Sequence, residues 1–212
     1  MNNEVNSKYD VTDLTSLEKL EPVRVRPGMY IGSTGTKGLH HCIWEILDNS
    51  IDEISNGFGD KATIIINKDK SVTVIDNGRG IPTGIHPVKK KSGVEMVFTE
   101  LHTGGKFDNK NYKTSGGLHG VGAAVVNALS KWLEVEVHQN GNIYRQRFEY
   151  AYDKDIKKDM PGTAVTALEI VGKTKDTGTR VTFKPDGEIF STTDFKDCKS
   201  LHSKIKEYIL NL

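Results

Sequence analysis

The chain has 212 residues, with 29 Lys and Arg against 28 Asp and Glu and a formal net charge of +1. That length suffices for one domain with a sizeable core, and the balanced charge argues against a module that itself wraps nucleic acid, which would show a basic excess. Cys42 and Cys198 follow no metal-ligand or CxxC spacing and read as reduced thiols; with no apolar run near the ~20 residues of a bilayer span and no signal-peptide pattern, a cytoplasmic protein with no membrane partner is expected.

Residues 1–13 are polar, with Tyr9 the one aromatic, and read as poorly ordered in isolation. Leu14, Leu17 and Leu20 fit a short helix, which Pro22 should end. A loop through Arg26-Pro27-Gly28-Met29-Tyr30-Ile31-Gly32 leads to a strong helix over about 38–57. Residues 62–67 and 71–76 read as strands joined by Lys68-Asp69-Lys70, and Asn77-Gly78-Arg79-Gly80-Ile81-Pro82 is a turn-rich break. Val94, Val97, Phe98 and Leu101 mark another helix by their spacing. From 103 to 117 the chain is Gly-rich and Lys-dotted, which reads as a mobile loop, and 118–130 reads as a helix entered through it. Strands follow at 133–138, 143–150, 163–170 and 179–184, mostly antiparallel by their short connections. A closing helix around 194–210 would bury Phe195, Leu201, Ile205, Tyr208 and Ile209. Helices early and strands late, without βαβ alternation, predict an α+β two-layer sandwich rather than a Rossmann fold. No linker is visible, so a single domain is expected.

On the helix at 38–57, a rotation of about 100° per residue puts Ile43, Ile46, Leu47, Ile51 and Ile54 on one arc. His41, Glu45, Asp48, Asn49, Asp52 and Glu53 fall on the other, and no Lys or Arg lies between Gly38 and Asp60. A solvated face is one reading, although an exposed helix ordinarily mixes signs because like charges at i,i+4 repel. The other is a site in which Asn49 offers an oxygen to Mg²⁺ while Glu45, one turn earlier, acts as a base beside His41.

Asp76 closes a strand and precedes Gly78 and Gly80. A carboxylate there can accept from an exocyclic amine such as that of adenine, with glycines allowing a flat ring to approach; the same Asp can equally make an Asx turn, and taken alone the turn favours that reading. Gly104, Gly105, Gly116, Gly117, Gly120 and Gly122 flank Lys106 and Lys113. Amides free at the start of the following helix could receive phosphates, with the lysines adding charge. Neither the Walker pattern nor GxGxxG is matched.

In this order, Glu45 and Asn49 on a helix, Asp76-x-Gly-x-Gly80, a Gly-rich segment and Gly178-Thr179 on a late strand resemble the GHKL ATPase superfamily. That superfamily holds gyrase, heat-shock chaperones, mismatch-repair proteins and sensor histidine kinases. The longer strings Arg26–Gly32, Gly38-Leu39-His40-His41, Leu47-Asp48-Asn49-Ser50-Ile51-Asp52-Glu53, Asp76–Pro82, Gly104-Gly105-Lys106-Phe107 and Ser115–Gly122 are similar to the type II DNA topoisomerase B subunits, from about Tyr9 onward. Tyr144–Glu149 and Gly178–Asp186 lean slightly to the topoisomerase IV branch, with gyrase as the alternative and a histidine kinase, chaperone or mismatch-repair ATPase as more distant ones.

The resemblance implies a two-layer sandwich holding ATP with Mg²⁺. It makes Glu45 the base that activates water, with His41 beside it, and Asn49 the Mg²⁺ ligand. Asp76 reads adenine with Thr179, near Gly80, while Arg79, Ile81, Pro82 and Arg145 form a rim that stacks on the base or on inhibitors. Tyr112 reaches the adenine, and Lys106 with the amides of Leu118, His119, Gly120, Val121 and Gly122 cradles the phosphates. Residues 1–14, with Tyr9 and Leu14, match an arm that crosses to a second protomer, and 15–212 the ATP-binding domain, excised from a longer subunit. The implied partners are a second copy, joined through an ATP-closed N-gate, an A-type cleavage subunit in a heterotetramer, DNA through the whole enzyme, and aminocoumarins. Pro22 and Val25 depart from the family's pattern near the arm.

Overall fold

The computed structural model describes Leu14, residues 16–103 and residues 120–195. Five helices lie among them, α1 (Glu21–Val25), α2 (Gly28–Ile31), α3 (Thr36–Ser55), α4 (Gly93–Thr99) and α5 (Gly122–Ala128). Seven strands complete the set: β1 (Ala62–Ile66), β2 (Val72–Asp76), β3 (Ser130–Gln139), β4 (Asn142–Asp153), β5 (Lys158–Ala164), β6 (Glu169–Lys173) and β7 (Gly178–Pro185). They form one sheet in the order β1-β2-β7-β3-β4-β5, with β6 also on β4 and every pairing antiparallel.

Strand alternation decides how the layers meet. Val72 and Val74, Val181 and Phe183, Leu133, Val135 and Val137, and Phe148 are buried on one side of the sheet. There they join Leu39, Ile43, Ile46 and Leu47 of α3, Val94 and Phe98 of α4, and Ala124 to Val126 of α5 in one core. The expected two-layer α+β sandwich is what the chain adopts. The opposite face carries charge in cross-strand rows. Arg180, Glu136 and Arg145 stand side by side in register, as do Thr182, Glu134 and Arg147. Arg145 Nη2 lies 2.5 Å from Glu136 Oε1, and Arg147 lies over the Trp132 ring. These exposed pairs keep the open face polar and contribute little stability.

Asn127, on α5 and only 1% exposed, donates from Nδ2 to the carbonyls of Phe98 at 2.8 Å and Gly162 at 2.9 Å. It thereby joins α4, α5 and β5. Asn127→Ala removes the donor from two buried carbonyls and opens a void, so a loss of about 3 kcal/mol in unfolding free energy is expected in a urea titration.

Four expectations are corrected. The helix foreseen at Leu14, Leu17 and Leu20 is not formed: Pro22 sits in the first turn of α1 and starts a helix instead of ending one. Proline's fixed φ and missing N–H suit that position, where the donor would have no helical partner. The loop at 26–32 contains the single turn α2. The helix foreseen over 118–130 is described at Gly122–Ala128, and Ser130 opens β3, its hydroxyl donating to Val126 O at 2.6 Å. The strand foreseen at 163–170 is two, because Arg147 N donates to Thr166 Oγ1 at 3.0 Å and Gln146 Nε2 to Thr166 O at 3.2 Å, breaking the ladder between β5 and β6. Of the closing helix, Phe195 is buried but not helical, and 196–212 lie outside the described residues.

Candidate active site

α3 runs across the end of β2, and protein covers parts of its acidic arc. A Cβ on Gly122 would lie 1.9 Å from Glu45 Oε2, so the start of α5 rests directly on that carboxylate. A Cβ on Gly78 would lie 2.9 Å from Glu53 Cβ, so the turn after β2 closes the other end. On the same arc Asp52 is 3% exposed, while Asn49 is exposed and the side chains of His41 and Glu45 are partly so. A wholly solvated face therefore does not describe the arc.

On that arc, His41 Nε2 lies 3.0 Å from Glu45 Oε1, one helical turn away. An N–H there donates to the carboxylate and fixes its orientation. Asn49 follows one turn on, its Nδ2 donating to Glu45 O at 3.0 Å. With the nitrogen turned to the helix, the side-chain oxygen is the end that can meet a hard cation, and the oxygen chemistry fits Mg²⁺.

Asp76 is held at three points. Its Oδ1 accepts from Gly78 N at 2.9 Å and Thr179 N at 3.1 Å, and its Oδ2 accepts from Ser50 Oγ at 2.9 Å. The Asx bond to Gly78 is therefore real, but it uses one oxygen and leaves Oδ2 capacity for a further donor. Burial raises the carboxyl above its ordinary pKa, opposed by the Gly78 amide, the Ser50 hydroxyl and the Thr179 amide. Gly80 has φ +80°, and a Cβ there would lie 3.0 Å from Val137 Cγ1 and 3.2 Å from His138 O, so its backbone lies flat on the ends of β3 and β7. Gln139 clasps the same turn, donating to Arg79 O at 3.1 Å. Ile81 is half-buried against the core and Pro82 is exposed.

Arg79 makes a fork with Glu53. Nε donates to Oε2 at 3.0 Å and Nη2 to Oε1 at 2.8 Å, while the Arg79 backbone N–H also donates to Oε2 at 3.1 Å. The guanidinium carbon lies 3.6 Å from the centre of the Phe58 ring.

The structure thus gathers His41, Glu45 and Asn49 of α3 with Gly122 of α5 at one place, and Asp76, Thr179, Gly80 and Arg79 at the next. Arg145 is not brought to them: it stands on the open face of the sheet, paired with Glu136, whereas Val137, against which Gly80 packs, points into the core. Gly120 and Val121 lead into α5, and Thr103 N donates to Gly120 O at 3.1 Å, so the chain leaves and returns at one point. Tyr9, Lys106, Tyr112, Leu118 and His119 lie outside the described residues. Sequence reasoning missed Ser50, Asn77 and Phe58. Ser50 left a signal, being a hydroxyl in the middle of the apolar arc of α3, where a buried partner is needed.

Residues 34–189 match the family of histidine kinase-, DNA gyrase B- and HSP90-like ATPases. The chain is 53% identical over 201 residues to the DNA topoisomerase 4 B subunit of Staphylococcus epidermidis, and 52% identical to that of Staphylococcus aureus. Those alignments take in 95% of this chain and 29% of each relative, so the chain spans less than a third of their length. Among solved structures, the 43K ATPase domain of Thermus thermophilus gyrase B, in complex with an aminocoumarin, matches 85% of this chain and 42% of its own, at 42% identity and a TM-score of 0.69.

Proposed function

Because the chain belongs to the histidine kinase-, DNA gyrase B- and HSP90-like ATPase family, we propose that the site along α3 binds ATP with Mg²⁺ and hydrolyses it, as the ATPase module of a type II DNA topoisomerase B-type chain. The observation that carries this reading is the placement of two chemistries along one helix. A carboxylate with an orienting histidine stands at Glu45, and a buried, three-point-held acceptor stands beside Ser50 at Asp76.

In this reading Asp76 accepts from the exocyclic amine of adenine, with Thr179 beside it and the Gly80 backbone along the ring. Arg79, Ile81 and Pro82 form the rim. The amides of Gly120, Val121 and Gly122 face the phosphates, joined by those of Leu118 and His119 and by Lys106, and Tyr112 and Tyr9 complete the nucleotide contacts. Asn49 holds the Mg²⁺, whose charge neutralises the triphosphate. Glu45, oriented by His41, takes the proton from the attacking water. Arg145 serves ligands that extend beyond the nucleotide, which requires it to leave Glu136. In the longer subunit, residues 1–14 cross to a second copy, ATP closes the N-gate around DNA, and an A-type subunit completes a heterotetramer; aminocoumarins compete for the nucleotide site. Identity of 52–53% to topoisomerase IV subunits supports that branch over gyrase.

Two measurements test the core of this reading, Mg²⁺-dependent ATP turnover and binding of a non-hydrolysable ATP analogue. Asn49→Ala is expected to lower turnover by about tenfold or more while changing metal-free nucleotide affinity by less than about threefold. Equal losses in both would remove Asn49 from the metal.

A further inference from the structure

We infer that Asn140-Gly141 is a site of spontaneous modification, where the chain converts to isoaspartate through a succinimide, and that the product loosens the hold of β3 on the turn after β2. The sequence offers this chemistry at three pairs, Asn56-Gly57, Asn77-Gly78 and Asn140-Gly141. In each, the glycine nitrogen can attack the asparagine Cγ, because glycine brings no side chain against the approach. The N–Cγ bond forms as that nitrogen gives up its proton, and the side-chain nitrogen takes up a proton and leaves as ammonia. Water then opens the ring. Opening at the side-chain carbonyl gives aspartate, and opening at the main-chain carbonyl gives isoaspartate, whose backbone runs through the former side chain.

The fold separates the three pairs. Asn56 Nδ2 donates to Asp52 O at 2.7 Å, and Gly57 N–H donates to Ile54 O at 2.9 Å. Asn77 Oδ1 accepts from Asp60 N at 3.0 Å and Lys61 N at 2.9 Å, its Nδ2 donates to Asp60 Oδ1 at 2.8 Å, and Gly78 N–H donates to Asp76 Oδ1 at 2.9 Å. In both, the attacking nitrogen and the leaving amide are already committed. Asn140 and Gly141 instead form the two-residue turn between the paired Gln139 and Asn142, with φ +53° and +76°. Both are exposed, and a Cβ on Gly141 would meet nothing within 4 Å. The bonds at this turn go to carbonyls, Asn140 O accepting from Asn142 Nδ2 at 3.1 Å and Gly141 O from Thr174 N at 3.2 Å. Among the described residues, no hydrogen bond engages the Gly141 N–H or the Asn140 side chain. The tip can therefore leave its turn and cyclise without first breaking a bond to either reacting group.

The consequence lies one residue earlier. Gln139 donates to Arg79 O at 3.1 Å and so ties the end of β3 to the turn after β2. Isoaspartate adds a methylene to the main chain inside a two-residue turn, which shifts Gln139 out of register with Asn142. Aspartate leaves the main chain as it was.

The test is prolonged incubation of the whole chain at neutral pH, with and without urea, followed by peptide mapping by mass spectrometry. In the folded protein Asn140 is expected to convert about tenfold or more faster than Asn56 or Asn77, since each hydrogen bond that must break first slows cyclisation by about fivefold. In urea, where those bonds are lost, the three pairs should agree within about threefold. Hydroxylamine, which attacks the succinimide, should cleave the folded chain after Asn140 ahead of the other two. The isoaspartyl fraction should exchange its amide hydrogens faster across 79–83 than an Asn140→Asp protein does. Comparable rates at the three pairs in the folded protein, a lead for Asn140 that persists unchanged in urea, or aspartate formed without isoaspartate would overturn the site. Unchanged exchange across 79–83 would overturn its effect on the turn.

Discussion

Glu45→Gln is expected to lower steady-state Mg²⁺-ATP turnover by at least about 100-fold, while affinity for a non-hydrolysable analogue stays within about threefold of wild type. The substitution keeps length and volume, which matters because the start of α5 leaves no room: a Cβ at Gly122 would already meet Glu45 Oε2. It also keeps an oxygen for His41 Nε2, now 3.0 Å from Oε1. What it removes is the proton affinity of an ionised carboxylate. A positioned general base contributes about 10²- to 10⁴-fold, so the loss should fall in turnover rather than in binding. Turnover equal to wild type would assign the water to another group, and loss of analogue affinity in step with turnover would make Glu45 a binding residue.

Glu45 could be chosen from sequence because its information is local. Helical periodicity places it with Asn49 and His41, and each of those relations spans four residues. The relation between Glu53 and Arg79 spans 26, as does that between Ser50 and Asp76. Neither is encoded in any spacing; both exist because α3 crosses the end of β2, a consequence of how the sheet packs. Arg145 is a similar case. Its rim role comes from the family resemblance and from no spacing; strand alternation sets it beside Arg147 on the charged face, on the side away from Tyr144 and Gln146.

The fold divides in the same way. α3 is legible by its helical periodicity and β3, β4 and β7 by alternation, whereas β1 and β2 are legible as short β-branched runs bounded by turn residues. Pro22 was misread because a proline marks either end of a helix equally well, and the leucines before it, repeating every third residue, do not decide between them. The break between β5 and β6 depends on a threonine hydroxyl taking the place of a backbone acceptor for Arg147. In sequence, Thr166 in a run of Thr and Val residues reads as strand.

Asp76→Asn should weaken analogue binding by about 1–3 kcal/mol, or roughly 5- to 150-fold, with the unliganded protein's melting temperature changed by only a few degrees. The asymmetry follows from how the carboxylate is used. Oδ1 accepts two backbone N–H groups, and an asparagine oxygen can take both, so the turn and its junction with β7 survive. The amide nitrogen then replaces Oδ2. Ser50 adapts, since its hydroxyl can accept where it donated before. An adenine amine cannot adapt: it meets a donor in place of an acceptor, in a site whose burial already penalises an unmatched polar group. Burial of the carboxylate is costly without a ligand and offset with one, so the position favours binding a donor over standing empty. A ligand carrying a carbonyl in place of that amine should respond in the opposite sense, gaining from Asp76→Asn what adenine loses. If calorimetry showed neither the loss nor the reversal, Asp76 would be a turn residue alone, and the base would have to be sought elsewhere along α3.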